Sequence, residues 1–209
     1  MNQTNGITAE QFREAFLASY TKVRSCFSDR ARWSEVFRAW NTLMLWQPTA
    51  TYHPPEEIEL SILGETAKRL GVSYQNGEPL RIDAVFSAQR NDWFPMLVAV
   101  EHENDWRGFE SEVRKLLSVR CPLKVGITYT GESPKGEQYR ARIARIIEED
   151  FAEISNLAEE GPQTEYLFLI GAESDDKEIS CWYSLGFQAR TGPDPRGFVP
   201  IGEMLTSTI

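Results

Sequence analysis

Cysteine and histidine are scarce in this chain of 209 residues. The three cysteines, Cys26, Cys121 and Cys181, are widely spaced and odd in number, so they match neither a disulfide framework nor a zinc-binding pattern. The two histidines, His53 and His102, are too few for a histidine-based hydrolase or a zinc cluster. The cysteine pattern predicts a protein of a reducing, cytoplasmic setting.

Long apolar runs and an excess of positive charge are also lacking. Runs such as 96–100 and 167–170 are far shorter than the ~20 residues that a bilayer requires, so we expect no membrane contact. The segment 1–7 lacks the basic-then-apolar pattern of a secretory signal. The net charge is −9, so any contact with nucleic acid is expected to be local.

Two common catalytic motifs are missing as well. Glycines 77, 108 and 131 are isolated, so they do not form a phosphate-binding loop. No serine lies in a Gly-x-Ser-x-Gly elbow. The sequence therefore excludes the usual nucleotide-binding loop and the usual serine hydrolase arrangement.

The elements that are present predict one domain over 1–209, with 41% apolar and 25% charged residues. It divides into an N-terminal helical part at 1–72, an α/β core at 73–190 and a C-terminal coil at 191–209. Apolar periodicity predicts helices over 9–27, 28–47, 56–70, 108–120 and 135–159. It predicts strands over 80–87, 96–103, 123–129, 165–170 and 178–187.

The connections between these elements predict the topology of the sheet. The short loop at 88–95 makes the first two strands antiparallel neighbours, and a crossover helix at 108–120 places the third strand parallel to the second. The fold class is therefore α/β, a mixed β-sheet flanked by helices, with further helices at the N-terminus.

Three carboxylates, Asp83, Glu101 and Glu103, lie on the first two core strands. Glu101 and Glu103 are two residues apart at the end of an apolar strand, so both side chains point to one face. Asp83 interrupts the apolar run of the neighbouring strand. Grouped carboxylates repel one another unless a cation intervenes, and Mg²⁺ favours such oxygen ligands. These residues predict a metal site that can activate water for attack on a phosphate.

Each of these residues also has an ordinary interpretation. Asp83 could pair with Arg81 or cap a turn, and Glu101 or Glu103 could be a charge at a strand end. Lys115, on the predicted helix over 108–120 that follows these strands, could be a solvated lysine. His102 alternates to the face opposite Glu101, which favours a hydrogen-bonded structural histidine over a ligand.

The arrangement resembles the PD-(D/E)XK nuclease superfamily. The resemblance covers the segments 82–86, 98–104, 112–117 and 123–127. In that superfamily an aspartate and an acid-x-lysine pair bind Mg²⁺, and a helix and a parallel strand follow. Here Glu103 stands where the superfamily has lysine, and Lys115 on the next helix is a candidate for a relocated lysine. The resemblance implies a restriction-endonuclease-like fold, Mg²⁺ or Mn²⁺ as cofactor, and catalytic roles for Asp83, Glu101, Glu103 and Lys115.

The superfamily often adds a carboxylate from the helix before the sheet. Glu59 is the candidate, because on a helix over 56–70 it shares the inward stripe of Ile62 and Thr66, whereas Glu65 lies on a different face. The expected metal ligands are therefore Asp83, Glu101, Glu103 and Glu59.

Two functions follow as expectations. The first is an Mg²⁺-dependent endonuclease that hydrolyses phosphodiester bonds in DNA. The second is a nuclease-fold protein without activity that binds a protein partner, forms a homodimer or serves as a subunit of a complex. The net charge of −9, the missing lysine and the aromatic residues Trp33 and Trp40 motivate the second. Arg140, Arg142 and Arg145 on the long helix could meet phosphate or form a solvated face.

Overall fold

The computed structural model describes residues 6–26, 61–76, 81–88, 95–154, 161, 163–174 and 179–201. Within them the helices are α1 (Ala9–Ser25), α2 (Ile62–Leu70), α3 (Phe109–Ser118) and α4 (Pro134–Ile154). The strands are β1 (Ser73–Asn76), β2 (Ala84–Ser87), β3 (Met96–Glu103), β4 (Leu123–Gly131), β5 (Glu165–Glu173), β6 (Ile179–Gln188) and β7 (Val199–Ile201). The predicted helix over 28–47 and Glu59 lie outside the described residues.

One sheet of seven strands joins these elements in the order β1 to β7. Strands β3, β4 and β5 are parallel to one another, and the remaining neighbours are antiparallel. The predicted α/β class with a mixed sheet is confirmed. The antiparallel pairing across 88–95 and the parallel crossover through α3 are confirmed as well.

Helices cover both faces of the sheet and form two apolar layers. On the α1/α2 face, aromatic residues of α1 pack against alternate residues of the central strands, including Val98 and Val100. On the α3/α4 face, residues such as Phe109 and Ile143 pack against the other alternate set, including Ala99. Because side chains alternate along a strand, β3 contributes to both layers. Within the described residues, no helix is long and apolar enough to cross a membrane.

Local sequence explains where the first two helices begin and end. Thr8 and Gln11 form a reciprocal capping box at the start of α1. The main-chain N–H of Ala9 also donates to Glu165 Oε2 at 2.6 Å, which ties this end of α1 to β5. Helix α2 ends at Gly71, whose φ of 68° is the left-handed conformation that glycine adopts at helix ends.

The boundaries of two elements differ from the prediction near the site. The helix that ends at Leu70 begins at Ile62 rather than at 56, because Ser61 is extended and its side chain accepts the N–H of Gly64. Strand β2 begins at Ala84 rather than at 80, because Arg81 has a φ of 65°, which is incompatible with a strand. Asp83 therefore lies just before the strand.

Two edge strands were not predicted. Strand β1 is short and only half-buried, so it shows no clear alternation of apolar and polar residues. Strand β7 lies within the predicted coil at 191–209 and pairs with β6. It contains Pro200, which a sheet tolerates at its edge. The C-terminal coil prediction is wrong for these residues.

Candidate metal centre

Strand β3 places Glu101 inside the molecule. Glu101 follows the buried Ala99 by two residues on the strand. Because side chains two residues apart point to the same face, the Glu101 side chain points to the α3/α4 face, as that of Ala99 does. Glu101 has no solvent exposure. A carboxylate at such a position carries a large desolvation cost unless its oxygens find partners.

The end of the loop before β2 brings Asp83 to Glu101. The Oδ2 atom of Asp83 accepts the main-chain N–H of His102 at 2.8 Å. Because His102 follows Glu101 directly, this hydrogen bond fixes Asp83 against the same part of β3. The predicted proximity of Asp83 and Glu101 is confirmed.

Glu112 on α3 is the third carboxylate of this group. Asp83, Glu101 and Glu112 each offer one oxygen, and the three oxygens lie within 4.8 Å of one another. We call these three residues the carboxylate cluster. Glu112 was not among the residues predicted to form the site, although it lies one helical turn before Lys115 and therefore on the same face of the helix. The three-residue spacing of Glu112 and Lys115 was the feature of the sequence that could have indicated Glu112 as a site residue.

Lys115 reaches the carboxylate cluster from α3. Its Nζ atom lies 3.3 Å from Glu101 Oε2 and 2.5 Å from Glu112 Oε2. Lys115 is therefore a counter-ion of the cluster rather than a solvated helix lysine. Three carboxylates share one described ammonium group.

The electrostatics of the cluster favour the neutral forms of Glu101 and Asp83. Burial, followed by the adjacent carboxyls of Glu112 and Asp83, raises the pKa of Glu101 to about 9. Burial also raises the pKa of Asp83, although the N–H of His102 opposes this. Burial alone would lower the pKa of Lys115, but Glu112 and Glu101 outweigh it, and the pKa is raised.

The donor set fits a hard divalent cation. The Oε1 atom of Glu101 is buried and has no hydrogen-bond partner among the described residues. An unpartnered carboxylate oxygen in the interior is costly, and a cation would satisfy it. Carboxylate oxygens are the ligands that Mg²⁺ and Mn²⁺ take, whereas zinc sites usually include histidine or cysteine. Asp83, Glu101 and Glu112 are the residues that could hold such an ion.

The space beside Glu101 is filled by aromatic rings. Gly126 lies opposite Glu101 on β4. A Cβ atom at this position would lie 2.7 Å from Phe168 Cδ1 and 2.8 Å from Phe109 Cζ. The glycine therefore lets both rings close over the strand next to Glu101, which excludes water and strengthens electrostatic interactions there.

Glu103 has a different environment from Glu101. Its Oε1 atom accepts the main-chain N–H of Asp105 at 2.9 Å, and a Cβ atom at Gly108 would lie 2.8 Å from its Oε2 atom. Glu103 therefore holds the connection between β3 and α3 and is not one of the three clustered carboxylates. Its ligation of a metal stays a prediction.

Glu65 on α2 is buried, contrary to the expectation that it lies off the inward stripe. Its Oε1 atom lies 2.8 Å from Lys22 Nζ of α1. The prediction failed because α1 packs on this side of α2 and supplies a partner. Glu65 belongs to the α1/α2 side of the sheet, away from the carboxylate cluster.

His102 is structural, as predicted. Its Nε2 atom lies 3.1 Å from the Tyr129 hydroxyl, and Tyr129 belongs to the apolar layer of the α1/α2 face. Burial lowers the pKa of His102 to about 3, so the ring is neutral at pH 7.

The comparisons with known proteins add no name to this site. No protein-family model matches the chain, and no curated protein or solved structure matches it.

Proposed function

We propose that this chain is an Mg²⁺- or Mn²⁺-dependent endonuclease that hydrolyses phosphodiester bonds in DNA. The observation that carries the proposal is the convergence of Asp83, Glu101 and Glu112 to within 4.8 Å, with Glu101 Oε1 unpartnered. The order of the elements supports it, because the antiparallel pair β2 and β3 is followed by helix α3 and the parallel strand β4, as the PD-(D/E)XK resemblance implies.

Each residue has a distinct role in this proposal. Asp83, Glu101 and Glu112 hold the cation, and Asp83 is itself oriented by the N–H of His102. A bound Mg²⁺ supplies positive charge that offsets the phosphate and makes a nearby water more acidic. Lys115, released from its carboxylate partners, stabilises the charge that develops on the phosphate oxygens. Phe109 and Phe168 keep water from the buried side of the site.

Calorimetric titration of Mg²⁺ and Mn²⁺ tests the carboxylate cluster. The variant Glu101→Gln keeps the shape of the side chain but cannot offer an ionised oxygen to a cation. Glu65→Gln is the matched control, because Glu65 is an equally buried glutamate outside the cluster. We expect Glu101→Gln to lose metal binding and to slow cleavage of plasmid and single-stranded DNA by at least about 100-fold, in line with loss of a group that acts on the transition state. Glu65→Gln should retain both.

The result that overturns the proposal is a parent protein that binds neither cation, with or without DNA. That result favours the second function, an inactive nuclease fold that binds a protein partner. The observation behind this alternative is the position of Lys115, which already supplies a cation to Glu101 and Glu112. In that case Lys115→Met should destabilise the fold and should not increase the affinity for Mg²⁺.

A further inference from the structure

A second group of side chains lies on the connection that leads from β3 to α3. Trp106 is half-buried, and its ring stacks on Tyr139 of α4 with the ring centres 4.3 Å apart and the planes inclined by 22°. The guanidinium groups of Arg142 and Arg107 lie 5.4 Å and 5.6 Å from the centre of the Trp106 ring. We call Trp106, Tyr139, Arg107 and Arg142 the aromatic–arginine surface.

Two arginines give this surface positive charge. Arg107 pairs with Asp105 at 3.2 Å, whereas Arg142 is exposed and forms no ion pair with any described residue. Arg142 follows Tyr139 by three residues on α4, so both lie on one face of the helix. A chain of net charge −9 thus presents, beside a stacked aromatic pair, an exposed guanidinium group that no described carboxylate neutralises.

The surface is also linked to the carboxylate cluster through the chain. Trp106 follows Glu103, the last residue of β3, and precedes α3, which carries Glu112 and Lys115. The hydrogen bond from the main-chain N–H of Asp105 to the Glu103 carboxylate holds this connection against the end of the strand. A ligand on the surface would therefore lie on the same connection that positions the cluster.

We propose that the aromatic–arginine surface binds single-stranded nucleic acid, with an unpaired base joining the Trp106–Tyr139 stack and Arg142 contacting a neighbouring phosphate. Aromatic rings stack with any base, and arginine adds both charge and a planar group that stacks. A base inside a duplex does not expose its face, so the surface selects unpaired strands. This inference rests on the proposed function and names its substrate class.

Fluorescence anisotropy with a labelled oligothymidylate tests the surface directly. The titration is made in EDTA, so that neither hydrolysis nor metal binding contributes. We expect Trp106→Ala and Arg142→Ala each to weaken binding by about tenfold, the effect of losing one stacked base or its cationic neighbour. Trp106→Phe should restore most of the affinity. A duplex of the same length should bind more weakly than the single strand.

Arg145→Ala is the matched control. Arg145 is also exposed on α4, one turn beyond Arg142, but it faces Glu149 at 3.7 Å. The proposal is overturned if the parent does not bind the oligonucleotide, if Arg145→Ala weakens binding as much as Arg142→Ala, or if the duplex binds equally well. It is also overturned if Trp106→Ala lowers only the melting temperature and Arg142→Ala binds like the parent.

The two proposals can fail separately. Binding of the oligonucleotide by a chain that takes up neither Mg²⁺ nor Mn²⁺ supports the aromatic–arginine surface and overturns the nuclease. Uptake of the metal by a chain that ignores the oligonucleotide overturns the surface and leaves the carboxylate cluster intact.

Discussion

Two buried glutamates on opposite faces of the sheet have opposite surroundings. Glu65 is 4% exposed and Glu101 is fully buried, so both have lost most of their hydration. Glu65 has one lysine partner of its own, whereas Glu101 shares Lys115 with Glu112 and keeps one oxygen unpartnered. Burial of a charge is therefore common to both, and only the supply of partners distinguishes a structural acid from a candidate site.

The same contrast holds for the layers around these residues. On the α1/α2 face, Phe16 stacks with Phe12 and meets the edge of Trp182 with ring centres 5.0 Å apart. On the α3/α4 face, the apolar layer surrounds the carboxylate cluster. The apolar packing of the α1/α2 face stabilises the fold, whereas the buried carboxylates of the α3/α4 face destabilise it.

The largest effect is expected from the apolar layer of the α1/α2 face. Phe16→Ala should lower the free energy of unfolding by about 3–5 kcal/mol, because it removes a fully buried ring and leaves a cavity. Urea unfolding followed by circular dichroism measures this loss, and calorimetry should show unchanged Mg²⁺ affinity in the folded protein. A loss below about 1 kcal/mol would show that this layer repacks freely.

An effect of opposite sign is expected from the carboxylate cluster. Between pH 5 and 9 the unfolded chain ionises Glu101, while the folded chain keeps it protonated, because its pKa is raised to about 9. Folding is therefore increasingly disfavoured as the pH rises through this range. Glutamine does not ionise, so Glu101→Gln should be more stable than the parent at pH 8 without divalent cations. We expect a gain of at least about 1.4 kcal/mol, the equivalent of one pKa unit.

Urea unfolding at several pH values measures that gain. The difference between Glu101→Gln and the parent should shrink towards pH 4.5, where the unfolded parent ionises Glu101 only in part. Mg²⁺ should stabilise the parent alone and so reverse their order. If Glu101→Gln is less stable than the parent at pH 8 in EDTA, Glu101 stabilises the metal-free fold, and the contrast drawn between Glu101 and Glu65 is wrong.

The smallest effect is expected at Glu65. Glu65→Gln should lower the free energy of unfolding by about 1 kcal/mol, because Lys22 is partly exposed and regains water when its partner is neutral. A double-mutant cycle with Lys22→Gln, measured by urea unfolding, isolates the coupling of the pair. A gain in stability on Glu65→Gln would place this glutamate in the same class as Glu101.

The sequence predicted the central strands well and the ends of elements less well. Strand β3 has the predicted bounds, because its five consecutive apolar residues followed by acids form a strong pattern. The start of β2 was missed because Arg81 has a positive φ, which no apolar pattern reveals. Strand β7 was missed because its three residues depend on pairing with β6.

Two of the three residues of the carboxylate cluster were also predictable. Asp83 and Glu101 follow from strand alternation and from the short loop between two antiparallel strands. Glu112 requires the angle at which α3 returns over the sheet, and a sequence pattern does not contain that angle. The aromatic–arginine surface shows the same limit, because Trp106 and Tyr139 are distant in sequence and meet only when α3 and α4 have packed.

The residues of the carboxylate cluster and Lys115 lie close together along the chain, which lowers the entropy cost of bringing them together. Lys115 and Glu101 are separated by 14 residues, whereas the hydrogen bond from Ala9 to Glu165 joins residues 156 apart. Closing the shorter loop costs about 2 kcal/mol less in chain entropy. The carboxylates and Lys115 can therefore come together while Ala9 and Glu165 are still far apart.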